Sequence, residues 1–258
     1  MSSTVTNGLH RPRRGFAALL RGETLVTIRD TAGLLIPVAL PLLLLVSNSF
    51  APGIREQLRP GGPRVFDVYV VPPILAIVVA LIALVNMPSF IATYRKTGVL
   101  KTLAVSPIRP SAVLLAQIVV SAIQLLIGVA LMLTVAATGF GLQAPVNLLG
   151  AILAFGAGVL AMYALGMLIA AVAPSPNAAL AIGMVVFLGS GAIGGMFGST
   201  DNYPDALATI GSVLPFGAFV QLLQAAWLGD PLPVPSLVGA GVAVLVAGAC
   251  AVLLLRRR

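Results

Sequence analysis

From Ser111 to Ser199 the chain carries no lysine, arginine, aspartate, glutamate or histidine. No soluble domain could expose that stretch to water. A bilayer hydrocarbon core about 30 Å thick takes about 20 helical residues to cross, and runs of that length recur along the chain. The composition agrees: 59% hydrophobic and 9% charged over 258 residues, with a mean hydropathy of +1.08. These are the marks of a chain whose solvent is lipid. The expected fold class is an all-α integral membrane protein.

Six spans are expected near 31–50, 68–92, 111–138, 146–173, 177–198 and 236–255. Gly and Pro punctuate the breaks at "APGIREQLRPGGPR", "GFGLQAP" and "APSPN". Pro37, Pro41, Pro72 and Pro73 fall inside apolar runs, where membrane helices tolerate them better than soluble ones. Three regions follow: a basic cytoplasmic segment 1–30, a six-span domain 31–255 and a basic tail 256–258. Phe16, Leu19, Leu20 and Val26 form a rough apolar stripe in the first segment, as in a helix lying in the membrane interface. Thirty polar-mixed residues precede the first apolar run, too many for a usual secretory signal, so no cleavage is expected.

Counting Lys and Arg sets the orientation. With the N-terminus inside, the inner segments hold twelve: Arg11, Arg13, Arg14, Arg21, Arg29, Arg95, Lys96, Lys101, Arg109 and Arg256 to Arg258. The outer segments hold three: Arg55, Arg59 and Arg64. A multi-pass protein of the cell membrane (inner or plasma) with both termini cytoplasmic is expected. Segment 202–228 stands apart. Its apolar part, "LPFGAFVQLLQAAWL", is short for a crossing, and a crossing would put the arginine tail outside. It reads as an outer re-entrant or interfacial segment containing Pro204, Pro215 and Phe216. Tyr203 and Trp227 are its expected headgroup anchors; the alternative is a seventh span.

Several chemistries are missing. No G-x-x-x-x-G-K-[ST] phosphate loop exists, and the G-x-G-x-x-G at Gly189, Gly191 and Gly194 lies within a span rather than after a strand. Those glycines instead make small-x-x-x-small pairs, Gly191/Gly195 and Gly194/Gly198, of the kind that lets helices approach closely. His10 is the only histidine and Cys250 the only cysteine, so neither a Ser–His pair, a metal site nor an intrachain disulfide can be built. Catalysis by this chain is not expected, nor is nucleic-acid binding. Acids at mid-membrane depth, which ion-coupled carriers use as relays, are absent, so a secondary carrier is disfavoured. Energy for transport is expected from another subunit.

Polar residues within the spans are few. Gln117, Ser121, Gln124 and Gly128 share one face of the third span, and Asn86 lies near the end of the second. They line either a substrate path or a helix interface.

"TYRKTGVLKTLAVSPIRP", Thr93 to Pro110, gathers four positive charges and no negative one. The second span is expected to run on to Thr97, with Gly98 as terminator and Arg95 and Lys96 favourable at the negative end of the helix dipole. A short helix from Val99 to Val105 then carries Val99, Leu100 and Leu103 on one face, stopped by Ser106-Pro107. Positive-inside topology explains the charges. An apolar face on a cytoplasmic helix points to a protein partner.

This loop resembles that of the membrane subunits of type-2 ABC exporters, whose form is basic–x–G–[TV]–L–x–x–L–x–x–[ST]–P; here it is "KTGVLKTLAVSP", Lys96 to Pro107. The Gly-rich "GSGAIGGMFG" and the proline-containing "LPFGAFVQLL" are similar to that family's fifth span and outer re-entrant segment. Two positions depart: Tyr94, Arg95 and Lys96 stand where the family commonly has glutamate or arginine–glutamate, and Leu214 replaces the asparagine of its outer Asn-Pro. The resemblance implies a permease subunit that pairs with a second permease subunit, as homo- or heterodimer, in membrane lipid. It also implies separate ABC ATPase subunits, which would bind ATP and Mg, docked on Arg95, Lys96, Gly98, Val99, Leu100, Lys101, Leu103 and Pro107. Drugs or other amphiphiles are the expected cargo. The alternatives are lipid or lipid-linked polysaccharide export, or a non-transporting assembly subunit.

Overall fold

The computed structural model describes residues 12–97, 110–198, 200 and 203–256. Helix α1 (Pro12–Arg29) lies ahead of α2 (Thr31–Asn48). A long α3 (Phe66–Lys96) follows, then α4 (Pro110–Phe140), α5 (Leu148–Val172) and α6 (Pro176–Ile193). Two short helices, α7 (Asp205–Val213) and α8 (Pro215–Leu228), precede α9 (Val234–Arg256). Helices α2 to α6 and α9 are long and apolar enough to cross a membrane. Among the described residues there is no strand, only an isolated bridge between Gln57 and Arg64. The fold is that of an all-α integral membrane protein.

Local chemistry sets the helix starts. Asp30 accepts from Gly33 N–H at 3.1 Å, Asn147 from Gly150 at 2.8 Å and Ser175 from Ala178 at 3.2 Å, each satisfying a free amide at a helix N-terminus. Pro176 and Pro215 open α6 and α8, where a missing N–H costs nothing.

Helix α3 is the axis of the bundle, packed against α2, α4, α5, α6 and α8. In its most apolar window 94% of residues are buried, against 17% to 39% in the other spans. Two of its turns widen to i→i+5 hydrogen bonding, at Phe66–Val70 and Leu81–Asn86, and prolines follow each. In the second, Met87 N–H goes to the Ile82 carbonyl and Pro88 has no N–H. The Ala83 carbonyl therefore lacks both of its i+4 and i+5 backbone donors, and Leu84 loses its i+4 donor. Glycines on the neighbouring helices receive these oxygens. A Cβ on Gly166 of α5 would stand 1.9 Å from the Ala83 oxygen, and one on Gly183 of α6 would stand 2.1 Å from that of Leu84.

Helices α7 and α8 meet at Leu214 with a bend of 88°. The start of α8 packs on the end of α6, with Phe216 6.3 Å from Phe187. Its far end reaches the α4–α5 loop, where the Trp227 indole donates to the Gln143 carbonyl at 3.1 Å. Fourteen residues make about 21 Å of helix, short of a crossing. Bent this sharply, the pair is either a re-entrant segment or a broken seventh span.

One expectation needs correction, the end of the fifth span, and two others gain detail. Trp227 is 5% exposed and donates its N–H to the Gln143 carbonyl, and Tyr203 donates to the Ala192 carbonyl at 2.8 Å, so both expected anchors have their polar groups bonded within the chain. The fifth span stops at Ile193, because Gly195 and Gly198 have φ of +88° and +139°, which end the helix. The close approach is instead made by Gly194, whose Cβ would meet the backbone nitrogen of Gly217 at 2.6 Å. Finally, α1 buries Glu23 and Thr27 and leaves Val26 of the expected apolar stripe exposed. Leu25, Val26 and Ile28 face outward, and Glu23 has its partner on the bundle in Tyr94.

Candidate functional site

A groove runs along α3 between α2 and α6. One part, about 510 Å³, is lined by Asp30, Gly33, Pro37, Asn86, Ser89 and Thr93 among others. The other, about 360 Å³, reaches Asn48 and Tyr69 at the loop end, and the two share Leu40, Phe187 and Leu188. Its walls are mainly aliphatic and aromatic, with hydroxyl, amide and phenol groups spaced along its length. Such a lining suits an elongated, largely apolar guest with a polar end.

Beside the groove lies a polar knot created by a proline. Pro37 has no N–H, so the carbonyl of Gly33, four residues earlier, loses its helical partner. Two amides from other helices replace it: Gln124 Nε2 of α4 donates at 2.8 Å, and Asn86 Nδ2 of α3 donates to the same oxygen. Three helices are thus joined at the widened turn of α3.

At the loop end, Asp67 is completely buried. Its Oδ2 accepts from Arg64 N at 2.9 Å and Arg64 Nε at 3.2 Å; its Oδ1 accepts from Arg64 Nη2 at 3.2 Å and Gln143 N at 3.1 Å. The Arg64 guanidinium also donates to the Phe140 and Gly141 carbonyls at the end of α4. With Trp227 on Gln143, one carboxylate ties together the α2–α3 loop, the α4–α5 loop and α8.

At the opposite end, α3 closes at Lys96, with Thr97 N–H on the Thr93 carbonyl. The Arg95 guanidinium donates to the carbonyls of Ala170 at 2.5 Å and Ala171 at 3.5 Å, where α5 ends. Guanidinium on the last carbonyls of a helix offsets its dipole. Lys96 is exposed. Tyr94 donates its hydroxyl to Glu23 of α1. Burial raises the Glu23 carboxyl above its ordinary value, and the Tyr94 hydrogen bond partly opposes that.

The residues singled out from sequence separate in space. Gly98, Val99, Leu100, Lys101, Leu103 and Pro107 lie outside the described residues. Arg95 turns inward onto α5 and Lys96 outward. Asn86 lines the groove and joins Gln124 on Gly33. Ser121 donates to the Ile118 carbonyl at 2.9 Å and accepts from Tyr163 at 3.2 Å, while Gln117 is buried with its Oε1 unpartnered. Pro204 caps α7, Pro215 opens α8, and Phe216 is fully buried. Sequence reading missed Glu23. The available signal was Thr27 four residues on, which puts an acid and a hydroxyl on one face of a helix otherwise apolar or basic apart from Thr24.

Five apolar spans with a buried sixth, α3, at the axis, a sharply bent helix pair and a groove along that axis define a multi-pass membrane protein. The chain belongs to the ABC-2 transporter family: the family described as ABC-2 family transporter protein matches residues 35–256. No match was found among curated proteins.

Proposed function

We propose that the chain is the permease subunit of an ATP-driven exporter, with both termini cytoplasmic, working as a dimer of permease subunits with separate ATPase subunits. ATP and Mg belong to those partners. Family membership over 35–256 carries the reading. The end of α3 supports it: Arg95 ties the helix to α5 and Tyr94 ties it to α1, so a push on residues 98–109 reaches the buried axis without bending an isolated helix end. The groove along α3 is the proposed substrate path, and its apolar walls favour a drug-like or other amphiphilic cargo over a sugar.

Docking on residues 93–107 rests on apolar anchors more than on charge. Burying one leucine contributes roughly 1.5–3 kcal/mol, whereas an exposed ion pair contributes about 0–1 kcal/mol and weakens with salt. Leu103→Asp is expected to release the ATPase during co-purification at low and high salt, and Lys101→Ala to weaken it mainly at low salt. Retention by Leu103→Asp with loss by Lys101→Ala would make the surface electrostatic.

A further inference from the structure

The face that α1 buries is built from oxygen atoms. Glu23 is 8% exposed and Thr27, one turn on, is 5% exposed, with its Oγ1 unpartnered. Tyr94 of α3 supplies the one hydroxyl that donates to the carboxylate. Helix α4, against which α1 also packs, has no titratable side chain anywhere from 110 to 140. From α2, Asp30 is occupied with the Gly33 amide. Of the cations on these elements, Arg21, Arg29 and Lys96 are exposed and Arg95 lies on the carbonyls of α5. None of the ion pairs among the described residues includes Glu23. Among the described residues the buried Glu23 carboxylate thus has one hydrogen-bond donor and no cation, and protonation removes its charge without moving a helix.

We propose that Glu23 and Tyr94 form a proton-operated clasp between α1 and the end of α3 that leads into residues 98–109, closed when the Glu23 carboxyl is protonated and loosened when it is ionised. Burial raises the carboxyl pKa, so docked α1 binds the proton more tightly than α1 released into water. Docking is therefore strongest in acid and weakens as pH rises through the raised value. The clasp sits on the segment that joins the bundle axis to the basic loop, so its state sets how firmly α1 restrains that segment.

The test uses the full chain in lipid nanodiscs, with Cys250→Ser and spin labels on Arg21→Cys and Lys96→Cys, exposed positions on the two elements. Distances between the labels are measured by pulsed electron paramagnetic resonance in acidic, neutral and alkaline buffers. The wild-type pair is expected to give a narrow distribution in acid that broadens as pH rises. Glu23→Gln, which keeps the shape and the added donor, should stay narrow throughout. Tyr94→Phe removes the one donor to the carboxylate in the docked state, so its distribution should broaden further than the wild type's, and at the same or lower pH. Unchanged emission from Trp227, the only tryptophan, verifies the fold of each variant. A wild-type distribution indifferent to pH overturns the clasp. So does Glu23→Gln broadening together with the wild type, since the titrating group would then lie elsewhere.

Discussion

Each end of α3 is held by a buried carboxylate, and the two are held differently. Asp67 has a cation beside it and accepts three hydrogen bonds from Arg64 and one from Gln143. Glu23 has one phenol and no ion pair among the described residues. A buried charge with its partner and all its hydrogen bonds is a fixed tie, because every alternative leaves an ion without solvent. A buried acid with a single donor stays in place most readily by taking up a proton. Helix α3 is thus anchored at the loop end and adjustable at the end that continues into residues 98–109.

The same acid-to-amide change should separate the two ends most clearly. Asp67→Asn leaves Arg64 without its counter-charge, and a cost of about 3 kcal/mol is expected, the low end for a buried pair because Arg64 keeps some exposure. Thermal unfolding in detergent, followed by Trp227 emission, measures it directly, since the indole sits on Gln143, whose amide is bonded to Asp67. Glu23→Gln should leave the midpoint nearly unchanged at neutral pH. Equal losses at the two positions would erase the distinction between tie and clasp.

A smaller effect is expected midway along the axis. Gln124→Leu removes one of the two donors to the Gly33 carbonyl and leaves Asn86 on it. The cost should be about 0.6 kcal/mol, the usual size of an interhelical hydrogen bond in a membrane. If the knot positions the groove wall, efflux or its selectivity should change while the amount of protein in the membrane does not. Lowered abundance with unchanged efflux per molecule would make it a packing contact alone.

The smallest effect belongs to Arg59 and Asp230, an exposed bidentate pair with both contacts at 3.2 Å joining the α2–α3 and α8–α9 loops. Arg59→Ala should cost no more than about 1 kcal/mol and lose even that in high salt. A larger, salt-resistant loss would extend the fixed tie at Asp67 outward to the loops.

The spans were legible because the signal is local. A run of about 20 apolar residues crosses a bilayer whatever its neighbours are, and Pro or Gly at its ends marks where it stops. The expected 111–138 and 146–173 became α4 and α5 within a few residues. Which span would be central was not legible. Lipid and the inside of a helical bundle are equally apolar, so hydropathy does not distinguish a helix surrounded by protein from one facing tails. Val70 to Val85 and Leu148 to Leu153 look alike as sequence, yet the first is buried throughout and the second exposes Leu148, Leu149, Ile152 and Leu153. Sequence also marks Pro37 as a residue that frees a carbonyl, but only packing brought Asn86 and Gln124 to it. Glu23 makes the same point. Among the arginines of the N-terminal segment it reads as one more solvated charge, and its burial depends on α1 folding back onto α4 and Tyr94, a contact across 71 residues that no local pattern encodes.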